Sequence, residues 1–181
     1  MTCPHGSYNR FEQPFEQQVK EMSDEIKRMT PGQSEEQIRF RPATENDSDF
    51  LYALHVATMK EYVDKTWGWD DTFQESVFRK NYVPAEIQVI TFAEKDMGML
   101  SLEERGQDVF LRAIEIHPDY QDQGIGTAII QKIIAEGALK MKPVFLHVLK
   151  VNPAKRLYER LGFSVVNETS THFQMRTSLS K

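Results

Sequence analysis

The spacing of apolar residues changes near residue 38. Before that point, apolar residues recur at steps of three and four in an otherwise polar stretch, the spacing of one narrow face on a helix. They are Phe15, Val19, Met22, Ile26 and Met29. We therefore predict an N-terminal extension, 1–37, with a possible amphipathic helix over 15–29, followed by one domain, 38–181. The extension's helix would dock on this domain, contact a second copy of the chain, or remain a free tail.

Within 38–181, short apolar runs bounded by turn residues alternate with stretches of helical spacing. The predicted strands are 38–41, 86–93, 97–103, 109–116, 144–149, 163–166 and 172–177. The predicted helices begin at Asp47 or Ser48, either of which can cap the first helix, at Asp71, at Gly124 and at Pro153. In the second helix Phe73, Val77 and Phe78 are expected to face inward. Strands 86–93, 97–103 and 109–116 are joined by short turns and predict an antiparallel meander. The near-continuous apolar run 144–149 is typical of a strand buried on both faces.

Gly124 and Gly126 open the helix that follows strand 109–116. The first backbone N–H groups of a helix have no partner within it, and together with the helix dipole they favour an anion. Glycine lets a phosphate approach this backbone closely. A dinucleotide fingerprint would need a third glycine where Ile129 stands, and the P-loop Gly-Lys-Ser/Thr is absent. A tight turn without a ligand is the alternative interpretation.

A second informative segment follows strand 144–149. Asn152 stands at the strand end, where it can cap the next helix, and Tyr158 lies about a turn and a half into that helix. The segment reads Leu157-Tyr158-Glu159-Arg160-Leu161-Gly162-Phe163. Together with the pattern Gln121-x-x-Gly124-x-Gly126, it resembles the GNAT acyltransferase superfamily over residues 38–178.

The resemblance implies a mixed α/β fold. A central, mostly antiparallel mixed sheet of about seven strands would be flanked by helices and splayed between its fourth and fifth strands, 109–116 and 144–149. It also implies an N-acetyltransferase that uses acetyl-CoA as co-substrate, with direct attack by an amine. Gln121 stands where many members have arginine, which leaves one diphosphate contact uncharged.

The resemblance places the pantetheine arm of acetyl-CoA in the splayed gap, bonded to backbone groups of strand 109–116. The residues expected to contact acetyl-CoA are Ile114, Ile116, Gln121, Asp122, Gln123, Gly124, Ile125, Gly126, Thr127, Asn152, Lys155 and Tyr158. Tyr158 is the expected acid at the leaving sulfur. Glu115 is the candidate base because apolar neighbours flank it and partial burial raises a carboxyl pKa. Glu103, Glu104 and His117 are the alternatives.

Both tryptophans lie in one short segment between the first two predicted helices. Trp67 and Trp69 stand beside Asp70 and Asp71, and aromatic faces and carboxylates both attract cations. With Glu103 they are the predicted acceptor-binding residues, and Tyr62 and Tyr82 are further candidates. In the alternative interpretation the tryptophans fill the core and an aspartate caps the second helix.

Charge and composition narrow the partners. Acidic residues number 27 and basic residues 22, a net charge of -5, which disfavours nucleic acid and anionic membranes and suits a cationic small molecule. The single cysteine, Cys3, excludes an internal disulfide, and with His5 it makes a weak metal site, so no metal is expected. With neither a signal peptide nor a membrane-spanning run recognised, a cytoplasmic location is expected.

We expect a small-molecule amine as the acceptor and allow a homodimer. The alternative functions are a non-catalytic acyl-CoA sensor and a protein acetyltransferase.

Overall fold

The computed structural model describes residues 38–92 and 94–179, so the predicted helix over 15–29 lies outside the described residues. The described part contains seven strands and four helices. The strands are β1 (Ile38–Pro42), β2 (Gln88–Phe92), β3 (Lys95–Arg105), β4 (Asp108–Ile116), β5 (Val144–Leu149), β6 (Phe163–Glu168) and β7 (His172–Thr177). The helices are α1 (Ser48–Trp67), α2 (Asp71–Asn81), α3 (Ile125–Leu139) and α4 (Lys155–Arg160). Every predicted strand and helix within this range is present.

All seven strands belong to one open sheet in the order β1-β2-β3-β4-β5-β7-β6. The meander β2-β3-β4 and the hairpin β6-β7 are antiparallel, as predicted. Only β4 and β5 are parallel neighbours, joined through α3 as a parallel connection requires. The mixed sheet flanked by helices confirms the predicted fold class.

β4 and β5 are paired over three residues only. Val109, Phe110 and Leu111 face Val144, Phe145 and Leu146, after which β4 continues to Ile116 without β5 beside it. At the same point β4 carries an extra residue, since Ser101 faces Ala113 while Leu102 faces Leu111. Such a bulge bends a strand and disrupts its ladder. The predicted splay between the fourth and fifth strands is therefore confirmed, and it begins at the bulge.

The two faces of the sheet have separate cores. On one face, α3 buries Ile125, Ile129, Ile130 and Ile133, as its spacing predicts. On the other face, Leu51 and Leu54 of α1 pack on β2 and β3. This arrangement leaves α3 and α4 on one side of the gap between β4 and β5, and α1 on the other.

Asp47 anchors the start of α1 in a way that differs from the predicted cap. Its carboxylate binds Arg41 at 2.6 and 2.9 Å and accepts the Thr44 N–H at 2.7 Å, whereas it makes no bond to the first turn of α1. Arg41 also binds Asp96 of β3 at 2.6 Å. The Arg41 hydrogen bonds hold the pKa of the Asp47 carboxyl well below its usual range. Asp47 was predicted to cap α1, but its carboxylate is occupied by Arg41 and Thr44, which precede the helix.

Two predicted burial patterns are wrong. Phe73 and Val77 of α2 were expected to face inward, but they are 61% and 38% exposed. The reason is that α2 packs on the core through Phe78, which lies on another part of the helix surface. β5 was expected to be buried on both faces, but its Phe145 is half-buried and its His147 exposed. The reason is that none of the helices within residues 38–92 and 94–179 covers the α1 side of the sheet at this strand.

Gly98 of β3 permits the close approach of β3 and β4 at the splayed end. A Cβ atom at this position would stand 2.4 Å from the Glu115 carbonyl oxygen, which belongs to the backbone and cannot move aside. By contrast, a Cβ at Gly126 meets only the Ile116 Cδ1 atom, at 3.4 Å.

We predict that Gly98→Ala lowers the free energy of unfolding by about 1–3 kcal/mol, the usual cost of overpacking. Gly126→Ala is the matched control and should be neutral or slightly stabilising, because alanine is the better helix former. Urea unfolding followed by circular dichroism measures both. Equal stability of the Gly98→Ala and wild-type proteins would contradict the close approach.

Candidate functional site

A cavity of about 570 Å³ passes through the gap between β4 and β5. From the α1 side it is lined by Thr58, Tyr62 and Glu115. From the α3 and α4 side it is lined by Ile114, Ile116, Tyr120, Gln121, Asp122, Gly124, Ile125, Gly126, Thr127, Asn152, Pro153, Ala154, Arg156, Leu157, Tyr158 and Arg160. The gap thus joins both sides of the sheet in one space, and it brings together most of the residues that the sequence singled out.

The start of α3 presents free backbone donors to this cavity. Gly124 has a φ of 81°, the left-handed conformation that glycine adopts without strain, and precedes the first helical residue. The first hydrogen bond of the helix runs from the Ala128 N–H to the Gly124 carbonyl, at 3.0 Å. The N–H groups of Ile125, Gly126 and Thr127 therefore precede the ladder and have no helical partner. The two glycines act differently: Gly124 supplies the turn, and Gly126 keeps a side chain away from the cavity wall.

Three polar side chains predicted to contact acetyl-CoA are engaged elsewhere. Gln121 Nε2 donates to the Ile116 carbonyl at 2.7 Å, and Gln123 Nε2 donates to the Asp119 carbonyl at 2.9 Å. Lys155 pairs with Glu159 and lies over the ring of Phe173, outside the cavity lining. The glutamines therefore brace the loop that carries the backbone donors.

Arg156 and Arg160 of α4 line the cavity, and sequence reasoning missed both of them. Neither has an ion-pair partner among residues 38–92 and 94–179. Their spacing of four residues places them on one face of the helix. That spacing was visible in the sequence, but only the fold reveals that this face points at the cavity.

The backbone of Ile114 and Ile116 faces the gap. The His117 N–H donates to the Met97 carbonyl of β3 at 2.9 Å. Because successive residues of a strand point their backbone groups to opposite sides, those of Ile116 and Ile114 point away from β3. β5 does not extend beside them, and the Gln121 amide occupies one lone pair of the Ile116 carbonyl. This edge therefore offers backbone hydrogen bonds to an extended ligand.

Tyr158 lies on the far side of the gap from Glu115 and packs edge-on against Phe163, with ring centroids 5.6 Å apart. Burial raises the pKa of Tyr158 to about 12. The hydroxyl therefore remains protonated near neutral pH. Asn152 lines the same wall, and its side-chain oxygen accepts the Ala154 N–H at 2.9 Å, which closes the turn before α4. The predicted cap of the helix itself is wrong, because Ala154 stands at the N-cap of α4 without a side-chain cap bond.

Glu115 is a buried carboxylate at the α1 side of the gap, 9% exposed. His55 Nδ1 lies 3.0 Å from one of its oxygens, and the Thr58 hydroxyl lies 2.7 Å from the other. Both partners come from α1, at the i and i+3 positions of one helix face. No local pattern could identify them, because His55 and Thr58 lie 60 and 57 positions from Glu115 along the chain.

The other candidate bases lie away from the cavity lining. Glu103 pairs with Arg105 at 2.8 Å, and Glu104 pairs with Lys142 at 2.7 Å and with Lys140. Both residues lie near the end of β3 that is far from the splayed gap. Their ion pairs lower the pKa values of both carboxyl groups. His117 accepts the Asp119 N–H at 3.4 Å and shapes the turn after β4.

The tryptophans border a second cavity of about 460 Å³ at the junction of α1 and α2. Trp67 is 59% exposed and lies near His172, so it does not fill the core. Trp69 is half-buried, its ring 6.3 Å from that of His55, while Lys60 lies over the Trp69 ring. Asp70 accepts the Phe73 N–H at 2.7 Å and caps α2.

Of the other acceptor candidates, Tyr62 lines the main cavity. The Tyr82 hydroxyl donates to the Thr44 carbonyl at 2.6 Å, so that its polar end is occupied. Within the described ranges no three His, Cys, Asp or Glu side chains are grouped as a metal ion requires. None of the helices found there is long and apolar enough to cross a membrane.

Comparisons with known proteins agree with this geometry. Residues 84–165 match the family model described as acetyltransferase (GNAT) domain. The fold resembles a PaiA N-acetyltransferase from Thermoplasma acidophilum in complex with coenzyme A, with 17% identity, a TM-score of 0.64, and coverage of 78% of this chain and 98% of that one. It also resembles spermidine N-acetyltransferase from Vibrio cholerae in complex with CoA and spermine, with 21% identity, a TM-score of 0.58, and coverage of 81% and 98%.

A third similar structure is the ribosomal-protein-S18-alanine N-acetyltransferase from Escherichia coli, with 21% identity, a TM-score of 0.57, and coverage of 80% and 95%. No protein of curated function matches the chain by sequence. The matched segment 84–165 includes the meander, the start of α3 and the Asn152 and Tyr158 region. The chain therefore contains a segment, 84–165, that matches the GNAT acetyltransferase domain, and its fold is that of the similar N-acetyltransferase structures.

The raised pKa of Tyr158 gives a spectroscopic prediction. In the folded protein, Tyr158→Phe should leave the phenolate absorbance near 295 nm unchanged up to a pH of about 11, because Tyr158 is still protonated there. In urea-unfolded protein the same substitution should remove one tyrosine's signal near pH 10. Loss of one residue's phenolate signal near pH 10 in the folded protein would contradict the burial of this hydroxyl.

Proposed function

We propose that this acetyltransferase transfers the acetyl group of acetyl-CoA to the primary amine of a small molecule. The observation that supports it most is the single cavity through the gap between β4 and β5. Its walls offer free backbone donors at the start of α3, unpaired arginines on α4, the Tyr158 hydroxyl and the buried Glu115 carboxylate. Anion binding and proton transfer are thereby possible within one space.

The donor's diphosphate would bind at the start of α3. The N–H groups of Ile125, Gly126 and Thr127 and the helix dipole favour an anion there. Arg156 and Arg160 line the same cavity and are positively charged, which compensates for the neutral Gln121. Asp122 would contribute its backbone only, because its exposed carboxylate repels phosphate. The pantetheine amides would bond to the backbone of Ile114 and Ile116, and the thioester would then lie in the gap.

The reaction is direct attack by a neutral amine on the thioester carbon. Glu115 takes one proton from the incoming ammonium, and the amine then attacks. As the C–S bond breaks, the second proton of the attacking nitrogen passes to the leaving sulfur, to which Tyr158 donates a hydrogen bond while its charge grows. A tyrosine of pKa about 12 is a weaker acid than an ordinary thiol of pKa roughly 8.5. Burial disfavours a thiolate as it disfavours a phenolate, so it also raises the pKa of a thiol that lies beside Tyr158. The pKa values of the thiol and of the tyrosine are then closer together.

The acceptor would approach from the α1 side, where Glu115, Thr58 and Tyr62 line the cavity. A cationic amine suits the Glu115 carboxylate, and the exposed face of Trp67 offers a further cation–π contact at the neighbouring cavity. The Vibrio cholerae structure that resembles this fold contains spermine, which is a small amine. Glu103 has no part in this proposal, because it pairs with Arg105 away from the cavity.

A protein or peptide amine is a second candidate acceptor. Trp67, Phe73 and Val77 expose apolar surface at the end of the α1–α2 pair, a property of surfaces that bind other proteins. One of the resembling structures is a ribosomal-protein acetyltransferase. The two candidates differ in whether an isolated small amine suffices.

The test of function is thiol release from acetyl-CoA in the presence of an amine panel, with a polyamine, an aminoglycoside, amino acids and N-terminal peptides. We expect release with at least one small amine, and release with peptides alone would favour the protein acceptor. Tyr158→Phe should lower kcat about tenfold or more while the Kd of CoA changes less than about twofold. Binding of CoA without amine-dependent release would identify a sensor rather than an enzyme.

The donor site makes a separate prediction about affinity. Arg156→Gln and Arg160→Gln should each raise the Kd of CoA by about tenfold, because each removes a charge-assisted bond to phosphate. Gly126→Leu should raise it as much by placing a side chain where the phosphate approaches. The matched control is Arg112→Gln, which removes the same charge from an arginine paired with Glu86 outside the cavity lining. Calorimetric Kd values equal to wild type in all three variants would place the phosphates elsewhere.

A further inference from the structure

The partners of the buried carboxylate Glu115 differ in kind from those of the other strongly bound buried carboxylate, Asp47. Asp47 is held mainly by the Arg41 guanidinium and the Thr44 backbone N–H, groups that only donate hydrogen bonds, and also by the Thr44 hydroxyl at 2.9 Å. The guanidinium and the N–H stabilise the ionised carboxylate alone, and the lowered pKa of Asp47, caused mainly by Arg41, agrees with this. Glu115 instead binds an imidazole nitrogen and a hydroxyl, each of which can donate or accept.

The Thr58 hydroxyl has a second acceptor within reach. Its oxygen lies 2.7 Å from Glu115 Oε2 and 2.9 Å from the Leu54 carbonyl oxygen. One hydroxyl proton can serve only one of them at a time. When Glu115 is ionised, the charged oxygen is the stronger acceptor. When Glu115 is protonated, the Thr58 proton can turn to Leu54 while its oxygen accepts from the new carboxylic acid.

His55 has the same property at the other oxygen. Its Nδ1 atom, 3.0 Å from Glu115 Oε1, donates in one tautomer and accepts in the other. The side chain is 27% exposed, so its ring can exchange protons with water while Glu115 remains buried. Both carboxylate oxygens therefore keep a hydrogen bond in either protonation state.

We propose that His55 and Thr58 are positioning residues that allow Glu115 to change its protonation state without leaving a buried polar atom unbonded. The inference rests on the proposed function. In that reaction an N–H bond of the acceptor ammonium breaks, its proton passes to a Glu115 oxygen, and its electron pair becomes the nucleophile. An unbonded buried polar atom costs free energy, which would otherwise add to the barrier of this step and slow it about tenfold.

The test is a double-mutant cycle in which substitutions of Thr58 and His55 are combined with a substitution of Glu115. The kcat of each variant is measured with the amine that gives the fastest thiol release. Thr58→Val keeps the shape of the side chain and removes the hydroxyl, and His55→Phe removes the ring nitrogens. We expect each to lower kcat about tenfold, with the KM for acetyl-CoA within about twofold of wild type. Thr58→Ser, which keeps the hydroxyl, and His55→Asn, whose amide replaces Nδ1, should restore most of the loss.

The decisive comparison is made in a Glu115→Gln background. There, Thr58→Val and His55→Phe should have little further effect on kcat. A residue that acts through Glu115 has no further effect once Glu115 is replaced, so the effects of the two substitutions do not add. An equal tenfold loss in that background, or no loss in the wild-type background, would overturn the inference. Thermal unfolding of each variant excludes a folding defect. Absence of amine-dependent thiol release from the wild-type protein would instead overturn the proposed function.

A second readout does not depend on turnover. Long-range proton–nitrogen correlation spectra report which nitrogen of neutral His55 carries the proton. We expect the Nδ1–H tautomer beside ionised Glu115, and a change in its nitrogen shifts in Glu115→Gln. Spectra of His55 that are identical in the wild-type and Glu115→Gln proteins would overturn the contact on which the inference depends.

Discussion

The early end of the pairing between β4 and β5 is the constraint on which the site depends. Three paired residues hold the two strands together, and the extra residue in β4 then turns the strand away from β5. Backbone groups inside a sheet normally have a partner in the next strand. Here those of Ile114 and Ile116 face open space, with one lone pair occupied by Gln121. An interrupted ladder inside a packed domain thus creates both a cavity and a row of hydrogen-bonding groups along it.

The gap also separates two kinds of electrostatic environment. On the α3 and α4 side, the helix start, Arg156 and Arg160 favour negative charge. On the α1 side, Glu115 is a buried carboxylate with His55 and Thr58 beside it. An acyl donor rich in phosphate and an acceptor that must lose a proton need these opposite environments. Because the gap passes through the sheet, the proposed donor site on one face and the proposed acceptor site on the other open into the same cavity.

Close packing keeps this arrangement in place. The absence of a side chain at Gly98 lets β3 approach the backbone of Glu115, and Arg41 joins β1 and β3 to the turn before α1. These contacts fix α1 relative to β4, which in turn sets the distances from His55 and Thr58 to Glu115. The hydrogen bonds of Glu115 therefore depend on residues that do not line the cavity.

Local patterns in the sequence predict the elements, their order and a candidate anion-binding loop, because periodicity, turn residues and glycine conformations act within a few neighbouring residues. Gly124, Asn152 and Tyr158 can be recognised for that reason. Which polar groups remain available depends on contacts between distant segments. Asp47 was predicted to cap α1, yet it binds Arg41, and Gln121 was predicted to donate a hydrogen bond to phosphate, yet it donates to the Ile116 carbonyl of β4. His55, Thr58, Arg156 and Arg160 reach the site only because distant segments fold together, and their partners are set by packing that no local pattern records.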